Sequence, residues 1–145
     1  MEELRQALKF AVEKEEEAEA FYRNWAERAE NPGVTTLFTQ LASWEQGHVE
    51  KLSRVSPEEL IGTGDTPTNM NISELMVSVQ ATQDMSLQEA FVVAMKREEA
   101  SAALYSGMAT LGGAAGELFA GLEKEERRHK QLLEDEYEVV FLTDN

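Results

Sequence analysis

Residues 37–52 read LFTQLASWEQGHVEKL, and residues 118–133 read LFAGLEKEERRHKQLL. Leu37, Phe38, Leu41, Glu45, His48 and Leu52 recur as Leu118, Phe119, Leu122, Glu126, His129 and Leu133, each 81 residues later. Apolar residues three and four apart line one face of an α-helix. In both copies a glutamate, and a histidine three residues on, interrupt that face. The upstream segments repeat as well: Glu15, Tyr22 and Ala26 return as Glu98, Tyr105 and Ala109, each 83 residues later, the difference falling in a turn. The chain therefore reads as two related helical hairpins about a pseudo-twofold axis.

Breaks between helices follow from glycine, proline and asparagine, which cluster at Asn31-Pro32-Gly33, at Gly62-Thr63-Gly64-Asp65 with Pro67, and at Gly112-Gly113 with Gly116. Asn31 is placed to cap a helix that has Pro32 at its first position, and Ser86 with Glu89 forms a capping box ahead of an apolar run. Helices are predicted near 2–30, 33–54, 86–110 and 114–136. Residues 56–85 form a connection too long for a turn, with short helical pieces at Ser56 to Glu59 and at Asn71 to Gln83. Two short connections and one long crossover are the arrangement of an all-α, ferritin-like four-helix bundle, here a single domain over residues 1–145.

Composition narrows the chemistry. A chain of 145 residues can bury a core without covalent staples. With no cysteine, disulfides, iron–sulfur clusters and thiol catalysis are excluded. Met1 to Lys9 mix acids with apolar residues and do not resemble a signal peptide, and no apolar run approaches the roughly 20 residues of a membrane span, so a cytoplasmic protein is expected. A net charge of -15 disfavours nucleic acid and anionic membranes as partners and makes metal cations the natural counter-charge.

Heptad spacing assigns the buried seams. The first helix offers Leu4, Leu8, Ala11, Glu15, Ala18, Tyr22 and Trp25; the second Val34, Phe38, Leu41, Glu45, His48, Leu52 and Val55. The third offers Leu87, Phe91, Ala94, Glu98, Ser101, Tyr105 and Met108; the fourth Ala115, Phe119, Leu122, Glu126, His129 and Leu133. Every seam carries a glutamate. A slip of one residue in the first helix would substitute Glu16 for Glu15. At a rise of 1.5 Å per residue, Glu15 and Glu45 sit at one level of their hairpin and Glu98 and Glu126 at one level of theirs, roughly 21 Å from each turn. If the hairpins pack as the repeat implies, the six side chains meet in one layer. Four carboxylates there would each carry several kcal/mol of desolvation, plus their mutual repulsion, unless cations compensate. Two divalent ions balance the charge, and a carboxylate and imidazole donor set suits iron or manganese, with zinc as a further occupant.

The remaining acids of 13–19 and 123–128, among them Glu16, Glu17, Glu123 and Glu125, read as solvated surface. Trp25, Trp44 and the methionines Met70, Met76, Met85, Met95 and Met108 read as packing. The apolar tail Tyr137 to Leu142 is suited to docking on the bundle or on a second subunit.

The stretch EEEAEAFY at 15–22, together with both Glu-x-x-His pairs, resembles the rubrerythrin-like branch of the ferritin-like superfamily over nearly the whole chain. The resemblance implies a di-iron site in which Glu45 and Glu126 bridge the metals and Glu15 and Glu98 are terminal ligands. His48 and His129 would each bind one metal, with Tyr22 and Tyr105, one heptad beyond the terminal glutamates, hydrogen-bonding a ligand carboxylate across the bundle. It also implies an oxidoreductase reacting with hydrogen peroxide or dioxygen, and it allows a homodimer. Two departures stand out. The cysteine-bound rubredoxin centre of rubrerythrins proper is absent, so electrons would come from a separate donor protein. The further carboxylate usual one turn from the terminal ligand on the third helix is also missing: Met95 and Ser101 flank Glu98, and Glu99 is expected to point elsewhere. The alternatives are a ferroxidase or iron-binding role in iron handling, and a bundle with a purely structural metal.

Overall fold

The computed structural model describes residues 2–58, 72–82 and 84–143. Four long helices dominate: α1 (Glu2–Arg28), α2 (Pro32–Ser53), α4 (Leu87–Met108) and α5 (Gly113–Tyr137), with a single turn, α3 (Ile72–Leu75), inside the crossover. No strand occurs among the described residues. The fold is thus an all-α bundle of the ferritin-like kind. The glycine cluster at 62–65, Pro67 and Met70 lie outside the described residues, as do Glu59, Asn71 and Gln83 of the helical pieces expected in the crossover.

Local chemistry sets the ends. Asn31 accepts from the backbone N–H of Gly33 at 2.8 Å and of Val34 at 3.3 Å, with Pro32 at the first helical position. The Ser86 hydroxyl accepts from the N–H of Glu89 at 3.1 Å, and the Glu89 carboxylate accepts from the N–H of Ser86 at 3.2 Å, closing the box. A single turn of 3₁₀-helix (Ala109–Leu111) leads into α5, and Gly112 and Gly113, at φ 71° and 59°, adopt a left-handed turn that a side chain would resist.

The helices pack as two hairpins, α1 with α2 and α4 with α5; α1 also lies beside α4, and α2 beside α5. Two apolar clusters fill the interior. One includes Leu4, Leu8, Ala11, Leu52, Leu104, Met108, Phe119 and Leu122; the other includes Ala18, Trp25, Phe38, Leu41, Met85, Phe91, Ala94 and Leu133. Each buried Leu or Phe contributes roughly 1.5–3 kcal/mol against exposure. On every long helix the switch from one cluster to the other brackets a buried glutamate: Ala11 and Ala18 around Glu15, Ala42 and Leu52 around Glu45, Ala94 and Leu104 around Glu98, Leu122 and Leu133 around Glu126. The core is two hydrophobic halves separated by a polar layer.

Two features go beyond the heptad reading. The buried face of α4 is wider than its seam, taking in Ala90, Ala102 and Leu104, and near Leu104 the crossover packs Leu75 and Met76 against the same cluster. Arg97 holds the crossover by donating from Nε and Nη2 to the Val79 carbonyl, both at 3.2 Å. At the other end the tail continues α5 as a π-helical turn (Glu138–Leu142) that docks on the bundle, placing Phe141 5.6 Å from Phe91 and leaving Val139 and Leu142 outward.

Candidate metal centre

The polar layer consists of Glu15, Glu45, His48, Glu98, Glu126 and His129, each no more than 4 % exposed. Neighbouring Glu16 and Glu17 are exposed, so the burial falls on Glu15 itself. Glu99 points outward to Lys130 at 2.8 Å. Helical spacing puts Glu45 and His48, and Glu126 and His129, on the same face one turn apart, so one helix presents an oxygen and a nitrogen to the interior.

The donor atoms form two overlapping groups: Glu15, Glu45, His48 and Glu126, and Glu45, Glu98, Glu126 and His129. Within each, one atom per residue lies within 4.8 Å of every other, close enough to share an ion. Glu45 and Glu126 belong to both. His48 Nδ1 approaches Glu126 Oε1 at 2.7 Å, Glu15 Oε2 at 3.4 Å and Glu45 Oε1 at 3.6 Å. His129 Nδ1 approaches Glu45 Oε1 at 3.0 Å, Glu98 Oε2 at 3.6 Å and Glu126 Oε1 at 3.9 Å. The two imidazoles stack with centroids 5.6 Å apart.

Glu15 Oε2, Glu45 Oε1, Glu98 Oε2, both Glu126 oxygens and both histidine Nδ1 atoms are buried without a hydrogen bond of acceptable geometry. Orphaned buried polar atoms are rare in folded proteins and call for an explanation. Here they all belong to the layer, they mix oxygen and nitrogen, and they converge on the two groups just described. That donor set fits divalent transition ions.

The outer oxygens are accounted for. Tyr22 on α1 donates to Glu98 Oε1 on α4 at 2.7 Å, and Tyr105 on α4 donates to Glu15 Oε1 on α1 at 2.8 Å. Each tyrosine thus crosses between hairpins, and each of these glutamates keeps Oε2 toward a histidine. Burial, then the Glu98 carboxylate for Tyr22 and the Glu15 carboxylate for Tyr105, push both phenols well above their ordinary range, so they remain donors. Burial and the surrounding carboxylates push Glu45 and Glu126 well up. Burial opposes the ionised form of Glu98, but the close approach of Glu126 and His129 and the hydrogen bond from Tyr22 outweigh it and hold the group low. Burial would lower His48, and the Glu15 and Glu125 carboxylates more than reverse it. Without metal, the layer relieves its repulsion by keeping protons on its central carboxyls.

Two residues read as surface and packing have roles beside the layer. Glu125, with its side chain half exposed, brings Oε2 to 2.5 Å from His48 Nε2. Trp44 stacks on His129 with ring centroids 5.1 Å apart and planes 10° from parallel. The signal for both was their place immediately before the glutamate of each Glu-x-x-His pair, a position the seam reading treats as outward. On the side of α1 and α4, a cavity of about 30 Å³ reaches Glu45, Glu98 and Glu126, walled by Phe10, Ala18 and Leu104 and bordered by Ser101, with Val77 and Val79 of the crossover beside it. No described helix is long and apolar enough to cross a membrane.

Neither a curated protein nor a solved structure shows significant similarity to the chain. A family model described as Rubrerythrin matches residues 6–137, a span containing both hairpins and all six residues of the buried layer. The chain belongs to the rubrerythrin family.

Proposed function

We propose that the layer holds two iron ions and that the protein is an oxidoreductase of the peroxidase or ferroxidase type, reducing hydrogen peroxide or dioxygen with electrons from a separate donor protein. The observation that carries this reading is the convergence of the orphaned glutamate and histidine atoms on two groups that share Glu45 and Glu126. In it, Glu45 and Glu126 would serve both ions, Glu15 with His48 would complete one site, and Glu98 with His129 would complete the other. Bound iron would supply the electrons that reduce the oxidant. The chain's own residues fix the ligands and exclude bulk water. Tyr22 and Tyr105 hold Oε1 of Glu98 and Glu15, so that each terminal carboxylate offers Oε2 alone.

Substrate size supports a small oxidant. A water needs about 10–15 Å³ of such space, so a cavity of about 30 Å³ beside the carboxylates has room for a molecule of roughly two heavy atoms, such as peroxide or dioxygen. Ser101, one turn from Glu98, borders it without a carboxylate, leaving room there for a ligand from outside. The lack of cysteine leaves no rubredoxin-type centre in the chain and suits a reducing compartment such as the cytoplasm.

Anaerobic titration of the metal-free chain with ferrous iron, followed by peroxide or air, tests this. Two equivalents bound, a fast rise in near-ultraviolet absorption with peroxide, and repeated cycling with a reductant are expected. One oxidation per site with ferric iron retained would assign the centre to iron handling. Full stability with zinc and no oxygen reactivity with iron would make the metal structural.

A further inference from the structure

The offset of 81 residues that carries Glu45 onto Glu126 and His48 onto His129 also carries Trp44 onto Glu125. In both hairpins the residue before the Glu-x-x-His glutamate reaches across to the other hairpin's histidine, but the two chemistries differ. Glu125 meets His48 Nε2 at 2.5 Å. Trp44 lies flat against the ring of His129, and no described side chain hydrogen-bonds His129 Nε2. An indole has one N–H donor and no acceptor, so stacking orients the His129 ring without choosing which nitrogen carries its proton.

We infer that the two halves of the centre are unequal by construction: Glu125 is a positioning residue that makes the His48 half the tighter metal site, and Trp44 leaves the His129 half without that support. This rests on the two-metal reading above. A carboxylate accepting from Nε2–H fixes the tautomer whose Nδ1 lone pair faces Glu15, Glu45 and Glu126, and it raises the basicity of that nitrogen. Glu125 also adds a negative charge to one half only. The first ion therefore enters beside His48 and Glu15, and the second enters beside His129 and Glu98.

Cobalt(II), added anaerobically to the full metal-free chain and followed by visible absorption and calorimetry, is the probe. Two phases are expected, with the first equivalent bound about tenfold or more tightly than the second, the range by which partners of ligand histidines alter affinity. Glu125→Ala should weaken the tighter phase alone and merge the two. Trp44→Glu should strengthen the weaker phase alone. Two equivalents of indistinguishable affinity in the unaltered chain, or both phases weakening together in Glu125→Ala, would overturn the inference while leaving the two-metal reading intact. Fewer than two equivalents in the unaltered chain would overturn both.

Discussion

At the scale of single residues, the buried layer divides between atoms that converge on the two donor groups and atoms that hydrogen-bond to those residues from behind. Tyr105 hydrogen-bonds Glu15, and Tyr22 hydrogen-bonds Glu98, so the two phenols act on opposite halves. Tyr105→Phe should therefore weaken metal binding in the half containing Glu15 and His48, and Tyr22→Phe in the half containing Glu98 and His129, each by about 10–100-fold. Each change also leaves a buried carboxylate oxygen without its donor, which costs about 1–3 kcal/mol of stability in the metal-free protein. Metal titration and chemical denaturation of the two variants check both effects; a loss of stability without a loss of affinity would make the tyrosines packing residues. Glu126 belongs to both groups of donors, whereas His129 belongs to one. Glu126→Ala should accordingly impair both equivalents and His129→Ala only one, measured as bound metal per chain after dialysis. Two ions retained by either variant would defeat the ligand assignment.

At the scale of elements, the junction between α4 and α5 leaves no room for a side chain at Gly116. A Cβ at Gly116 would stand 2.7 Å from the Ala109 carbonyl oxygen, a backbone atom that cannot rotate aside. Gly116→Ala should destabilise by about 1–3 kcal/mol, lowering the melting temperature by about 2–4 °C per kcal/mol. An unchanged melting temperature would show that the 3₁₀ turn yields. The crossover offers a different test, because Arg97 ties the Val79 carbonyl beside the cavity. Arg97→Ala should leave metal content unchanged but admit larger probes, read as faster quenching or chelation of bound metal by bulky reagents. These elements also show where sequence suffices and where it does not. Helix periodicity and equal counts from each turn place Glu15, Glu45, Glu98 and Glu126 at one depth, because an α-helix advances uniformly and all four sit on seams. Glu125 and Trp44 sit off the seams, and their reach to the histidines depends on how the hairpins rotate against each other, which no single-helix period encodes. The hydrogen bonds of Tyr22 and Tyr105 across the bundle are legible through the resemblance, not through periodicity, and nothing in the sequence reveals that residues 77–79 lie beside the cavity, since that depends on how the crossover packs.

At the scale of the whole molecule, the polar layer ties stability to both pH and metal. Glu45 and Glu126 are raised well above 4.5, so the metal-free fold keeps protons that the unfolded chain releases. Stability from such groups is complete below the unfolded value and is lost as pH rises through the folded one. His48, raised from 6.5, acts in the same direction above that value. Glu98, lowered from 4.5, acts oppositely, its contribution being lost only as pH falls below the ordinary range. Between roughly pH 5 and 8 the metal-free protein should therefore become less stable as pH rises. Metal binding displaces those protons, so affinity rises with pH and the stabilisation by a fixed metal concentration rises with it. The gap in melting temperature between zinc-loaded and metal-free protein should widen from acid to neutral pH. Surface repulsion from the net charge of -15 would also weaken the metal-free fold as pH rises, but salt near 1 M shortens the screening length to about 3 Å and removes that part. What persists at high salt belongs to the buried layer. Glu126→Gln, which carries the shape of the protonated group but cannot ionise, should flatten the remaining slope. If the slope vanishes in high salt with Glu126 intact, the layer's protons are not what couples the fold to pH.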